Sequence, residues 1–417
     1  MSAASRKFHR EQLLHLLAES AEIEHNLLCT YLYAAFSLKG AADASLEGRE
    51  GAAVESWRRS IMTIAFEEMT HLAIIANLTV AVGGRPHFNR PNLPVPPGYH
   101  PSDLVVRLAP FDMDTLDHFI FLERPAGMEL PDGRGFVPET PYERSASSAG
   151  RLMPHADDYR TVTDFYERVS DALASLARDM GERVLFCGDP AMQVGPGQVA
   201  MPGLTAVTDL RSALRAIDTI IVQGEGASAA ADDSHFARFR SMKEEYAALC
   251  AARSTFRPAR AVATNPVMRR PLASDRVHVD ARPAAEVLDL SNALYNLMLR
   301  LLTQAFARVD GGSRKVLLDQ AIRLMRAFAA TSTYLTTLPA SAAAPGLNAG
   351  ATFTVLRATE TLPEGPGEWV VLGERVNGIL DSSRALAASA SELTAVVKEL
   401  EAVGAALARQ ARGGPTP

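Results

Sequence analysis

Residues 66–78, FEEMTHLAIIANL, form an apolar run that reads as a buried helix, yet they carry two glutamates and a histidine. Glu68 has Ile61, Ile64, Ala65, Leu72 and Ile75 at −7, −4, −3, +4 and +7, positions that share its helix face. It therefore points into the apolar side, with His71 beside it at +3. Glu67 is rotated about 100° away, toward Ser60, Thr63 and Thr70. A buried carboxylate is costly unless it is paired or bound to a metal ion. Any fold for this chain must therefore give Glu68 a partner.

Glu-x-x-His puts one oxygen and one nitrogen ligand on one helix face, as in di-iron and di-manganese helix bundles. Alone, the motif is also satisfied by a glutamate bonded to a core histidine. The same test applied elsewhere finds more inward carboxylates. Glu24 has Leu17, Leu27, Leu28 and Tyr31 at −7, +3, +4 and +7. Glu225 has Ile217, Ile221 and Val222 at −8, −4 and −3, and is flanked by Gly224 and Gly226. His235 follows after a short polar stretch and could fold back to complete a second Glu/His pair. In TVTDFYERV, Asp164 and Glu167 are the candidates from a further helix, Glu167 being favoured for its length. Neither lies on the stripe of Val162, Phe165, Val169 and Leu173, so solvated surface charge is an equal reading. Carboxylate and imidazole donors suit iron or manganese better than copper(I) or a thiolate zinc site.

The rest of the chain is helical in pattern. Apolar residues recur at helical spacing over 10–36, 51–82, 161–186, 207–225 and about 235–252, with a short helix near 112–122. Residues 84–160 read as a long Pro-rich insertion after the second helix, a candidate pocket roof. Its His87, His100, His118 and His155 are pocket candidates, with hydrogen-bonded loop histidines the plainer reading. A Pro/Arg-rich connector then leads to three long patterns, 284–309, 314–338 and 368–410. The expected division is a metal-binding bundle over 1–260 and a C-terminal helical domain over 261–417. Strand signals are scarce; RVHVD and ATFTVLRA are the candidates for a short ribbon.

A net charge of −6 with no dense Lys/Arg block argues against a nucleic-acid partner. Three cysteines far apart in sequence fit a reducing compartment. The first residues lack the apolar core of a signal peptide, and no run of about 20 apolar residues suggests a membrane span. A cytoplasmic protein is the expectation. The Ala-rich last helix leaves open a homodimer interface or packing within its own bundle.

The segments LLAESAEIEHNLLCTYLYAAFSL, IAFEEMTHLAIIANLTVAVGGRPHFNRPNLP, FYERV, LFCGDPAMQV and DTIIVQGEG…SHFARF together resemble the ferritin-like domain associated with iminophenylpyruvate dimer synthases, the enzymes of bisindole pigment assembly. They span roughly residues 10 to 245, and the later NPVMRRP and long helices resemble the C-terminal extension of the same proteins. The resemblance implies an all-α, ferritin-like four-helix bundle with an expected di-iron centre. By position it supports Glu24, Glu68, His71, Glu225 and His235 as ligands, and leaves the third-helix ligand open. It suggests an oxidase or oxygenase acting with O₂ on a small amine- or amino-acid-derived substrate. The alternatives are iron binding without an organic substrate and a non-catalytic helical scaffold. A subunit of a ferritin-type cage is disfavoured by the insertion and the second helical region.

Overall fold

The structure, a computed structural model, describes residues 9–95, 99–100, 105–137, 159–224, 233–270, 276–357 and 360–412. Among these the fold is all-α, with eleven helices and one two-stranded ribbon. Two long antiparallel helices, α1 (Arg10–Ser37) and α2 (Glu50–Ala81), form its spine. Their pairing places His71 against Glu24 at the middle of α1 and Arg58 against the Leu38 and Lys39 carbonyls at one end. Arg10 fixes the other end by donating to the Val82 and Leu185 carbonyls. α2 stops where Gly83 adopts a φ of +86°. Gly188 then packs against that end so closely that a Cβ would lie 1.7 Å from the Val80 oxygen.

α3 (Met113–Leu122) lies in the insertion and packs on α7 (His235–Ala252). α4 (Val162–Met180) is followed by the single turn α5 (Glu182–Leu185), and α6 (Leu210–Gly224) packs against α4. α4 starts with a capping box in which Thr161 and Asp164 satisfy each other's backbone N–H groups. α2 is the one described helix long and apolar enough to cross a membrane, but 72% of its apolar window is buried inside the fold. It is the core helix of this bundle.

The C-terminal helices form two antiparallel hairpins: α8 (Ala284–Phe306) with α9 (Gly311–Leu335), and α10 (Pro366–Ala387) with α11 (Thr394–Ala411). The expected single helix over 368–410 is thus broken. The chain turns at Ser389 and Ala390, so that α11 folds back on α10 and packs on α9, where Arg323 meets Glu399 at 2.9 Å. The ribbon also differs from expectation. RVHVD does supply β2 (Val277–His278), but it pairs in parallel with β1 (Pro266–Val267). In ATFTVLRA, whose last residue lies outside the described ones, side chains instead tie down residues 354–356: the Thr354 and Leu356 amides donate to Asn292 and Asn296 on α8. One continuous apolar core runs from Leu13 to Leu407 and joins both halves of the chain. Tyr295 of α8, for example, reaches His25 of α1.

Candidate metal centre

Glu24 from α1 and Glu68 and His71 from α2 converge, each 2% exposed or less. His71 Nδ1 lies 3.1 Å from Glu24 Oε2 and 3.2 Å from Glu68 Oε2. The other oxygen of Glu68 faces His235, the first residue of α7, at 3.1 Å from its Nδ1. Glu123, immediately after α3, puts Oε1 3.5 Å from the same nitrogen. Two groups therefore form, each with donor atoms within 4.8 Å of one another: Glu24, Glu68 and His71, and Glu68, Glu123 and His235. Glu68 belongs to both.

Both imidazoles are held from behind. His71 Nε2 lies 2.8 Å from Gln223 Oε1 on α6. His235 Nε2 lies 3.1 Å from Glu67, which also accepts from Arg238. An Nε2–H donated outward leaves each Nδ1 facing the carboxylates, the orientation that outer partners impose on metal-bound histidines. Tyr166 of α4 donates its hydroxyl to Glu24, and Tyr31 of α1 donates to Glu123.

These residues fit a metal ion. His235 Nδ1 is buried and has two carboxylate oxygens close by, yet it makes no hydrogen bond. A buried nitrogen surrounded by oxygens but aligned with none is suited to an ion between them. The donors are carboxylate oxygens and imidazole nitrogens without sulfur, a set that iron and manganese accept.

Without an ion, protons balance the charge. Burial and the neighbouring Glu68 charge push the Glu24 carboxyl up to about 8. Burial opposes ionisation of Glu68 too, but His71 and His235 outweigh it and hold Glu68 well below the usual carboxylate range. Burial disfavours the His71 cation, yet Glu68 and Glu24 raise it to about 10. Glu123, Glu67 and Glu68 likewise lift His235 well above its ordinary value against the effect of burial. Burial and nearby carboxylates push the Tyr31 and Tyr166 hydroxyls up, so both remain donors.

A cavity of about 30 Å³ touches the group, lined by Glu24, Glu68, His71, Glu123, Tyr166 and Gly224 among others. That is room for on the order of one or two waters. Gly224 keeps it open, since a Cβ there would sit 3.1 Å from Glu123 Oε2.

The structure thus brings together Glu24, Glu68, His71 and His235. It does not bring Glu167, whose side chain is exposed on the solvent face of α4. Asp164 is occupied as the helix cap. α4 contributes Tyr166 instead. Glu225 and Gly226 lie outside the described residues. The inner face of α6 runs through Ala213, Ile217 and Ile220, and Val222, read as part of that face, is exposed. Glu123 is the residue that sequence reasoning missed. It had the same signal as the others, with Leu116, Phe119 and Ile120 at −7, −4 and −3, but it sits in the insertion. Among the insertion histidines, His87 pairs with Glu22, His100 with Asn26 and His118 with Asp132, while His155 lies outside the described residues.

A family model described as Ferritin-like matches residues 17–244. The 2-imino-3-(indol-3-yl)propanoate dimerase of Chromobacterium violaceum is 28% identical over 338 residues, covering 76% of this chain and 31% of that protein. The dichlorochromopyrrolate synthase of Lentzea aerocolonigenes is 29% identical over 348 residues, covering 76% and 33%. The chain spans about a third of the length of these relatives. A crystal structure of a ferritin like protein from Caulobacter vibrioides aligns with a TM-score of 0.45 at 17% identity, over 83% of this chain and 98% of that one.

Proposed function

We propose, from the premise that this chain belongs to the ferritin-like family, that it is a metal-dependent oxidoreductase whose centre holds two ions, iron before manganese. The observation that carries this is the shared Glu68, which presents one oxygen to each of two Glu/His groups. Glu24 and His71 would hold one ion, Glu123 and His235 the other, with Glu68 common to both. Two such ions supply the electron transfer that carboxylates and imidazoles alone cannot perform.

The chain's own residues do the rest. Gln223 and Glu67 aim the imidazoles, Tyr166 steadies the outer oxygen of Glu24, and Tyr31 steadies the Glu123 oxygen that faces His235. The buried walls around Leu27, Leu122 and Ile220 keep bulk water out. A cavity of about 30 Å³ admits a molecule the size of O₂ or water, which supports O₂ as the small oxidant. The names of the two relatives, a dimerase of an imino acid and a chromopyrrolate synthase, support a small amino-acid-derived substrate.

The test is anaerobic reconstitution with Fe(II), followed by absorption spectra before and after O₂, for the wild type and Glu68→Ala. An O₂-dependent band in the wild type that is absent from the variant is expected. A wild type that takes up iron but never responds to O₂ would reduce the reading to metal binding alone.

A further inference from the structure

The opposite face of the α1–α2 pair borders a second cavity, of about 400 Å³, which the metal centre does not use. Its walls are the α1 stripe Leu28, Leu32 and Phe36, the α2 stripe Met62, Phe66 and Met69, and residues of α8 and α9. Its size falls in the range of small-molecule sites. From His25 to Phe36 it follows eleven residues of α1, so it is roughly 16 Å long. Five methionines line it: Met62, Met69, Met201, Met298 and Met325. Methionine side chains adapt to the shape of an apolar guest. The cavity opens beside Met62 and Phe66, which are 38% and 36% exposed.

One part of the wall is polar: His25, Cys29 and Tyr295 line it, and Arg90 stands behind Tyr295, donating to its hydroxyl at 3.2 Å. The charged residue in the lining itself, Arg326 of α9, is exposed, so solvent screens its charge. Arg90 is 5% exposed and also donates to the Phe353 and Pro91 carbonyls. Among the described residues no carboxylate pairs with it, and its Nε has no hydrogen-bond partner. A buried guanidinium without a counter-charge is costly, and in a low-dielectric interior its field reaches that part of the cavity.

We propose that this cavity binds one elongated amphiphile, a free straight-chain monocarboxylate of about twelve carbons, with its carboxylate beside His25 and Tyr295 and its chain running along the methionine-lined wall toward Met62. The field of Arg90 selects the anionic head, and the methionine-rich walls take the chain. The proposal is independent of the metal centre, which lies on the other face of the same two helices.

The experiment titrates the full chain with dodecanoate, read by native mass spectrometry and by displacement of a fluorescent fatty-acid analogue. One molecule per chain is expected, with dodecanol binding about tenfold or more weakly, since a charge-assisted contact is lost. Octanoate should bind more weakly than dodecanoate. Ala329→Trp, which fills the cavity from α9, should abolish binding while metal uptake is unchanged. These wild-type comparisons stand even if that variant fails to fold. Absence of saturable binding, equal affinity for the alcohol, or undiminished binding to folded Ala329→Trp would overturn the proposal. So would a dimer that buries Met62 and Phe66 and excludes dodecanoate, or binding only to anionic phospholipid vesicles.

Discussion

The two faces of the α1–α2 pair carry opposite chemistry on one scaffold. On one face Glu24, Glu68 and His71 are tightly packed, with Tyr166 of α4 donating to Glu24, Gln223 of α6 accepting from His71 and His235 of α7 facing Glu68, leaving room for about a water or two. On the other, a step of one residue along each helix leads to His25 and Leu72 and a cavity of about 400 Å³ walled by methionine and phenylalanine. The polar face is dense because each buried carboxylate needs a partner. The apolar face can stay open because most of its wall is hydrocarbon, which needs no partner, with His25, Cys29 and Tyr295 as its polar part. The lesson is that the reactive groups and the roomy pocket are separated by a helix layer, so each can be disabled without the other.

That separation can be broken in graded steps. Glu68→Ala should have the largest effect. It removes an oxygen from both groups, so metal content should fall from about two ions per chain to near zero, as read by elemental analysis. Full content in a folded variant would contradict the assignment. Glu24→Gln and Glu123→Gln each damage one group, so about half the metal should remain in either. Equal and complete loss in both would mean that the two ions bind only together.

Protonation sharpens the same boundary. In the ion-free protein Glu24 titrates near 8 and His71 near 10, so both carry protons at neutral pH that an ion must displace. Metal uptake should therefore release protons, and affinity should rise with pH by about one to two decades per unit between pH 6 and 8. Calorimetry in buffers of different ionisation enthalpy would count them. Dodecanoate binding on the other face should not share that slope. Glu67→Ala and Gln223→Ala remove only the outer partners of His235 and His71, and should weaken metal binding by about 10- to 100-fold in a chelator competition. Glu167→Ala should be nearly silent, because its side chain is exposed; metal content should hold and stability should move by less than about 0.5 kcal/mol.

Much of this was legible in the sequence, and the exceptions have physical causes. The long helices declare themselves by period, and a glutamate on an apolar stripe declares its direction, which is how Glu24 and Glu68 stand out. Glu123 carries the same signal on a helix of ten residues, inside a region read as irregular. The capping role of Asp164 was readable from Thr161 three residues before it. The direction of the α6 face was not, because Ile217, Ile220, Ile221 and Val222 permit two stripes, and tertiary packing decides between them. The break between α10 and α11 leaves no mark, since alanine and serine continue the helical pattern through the turn. The pairing of β1 with β2, and the placing of Arg90 behind Tyr295, depend on contacts between distant parts of the chain that no local pattern encodes.

The central claim is that Glu68 joins two metal positions. Crystals soaked anaerobically with Fe(II) and measured at the iron absorption edge test it most directly. The account predicts two anomalous peaks flanking Glu68, one against Glu24 and His71 and the other against Glu123 and His235. A single peak, or peaks that avoid Glu68, would contradict it.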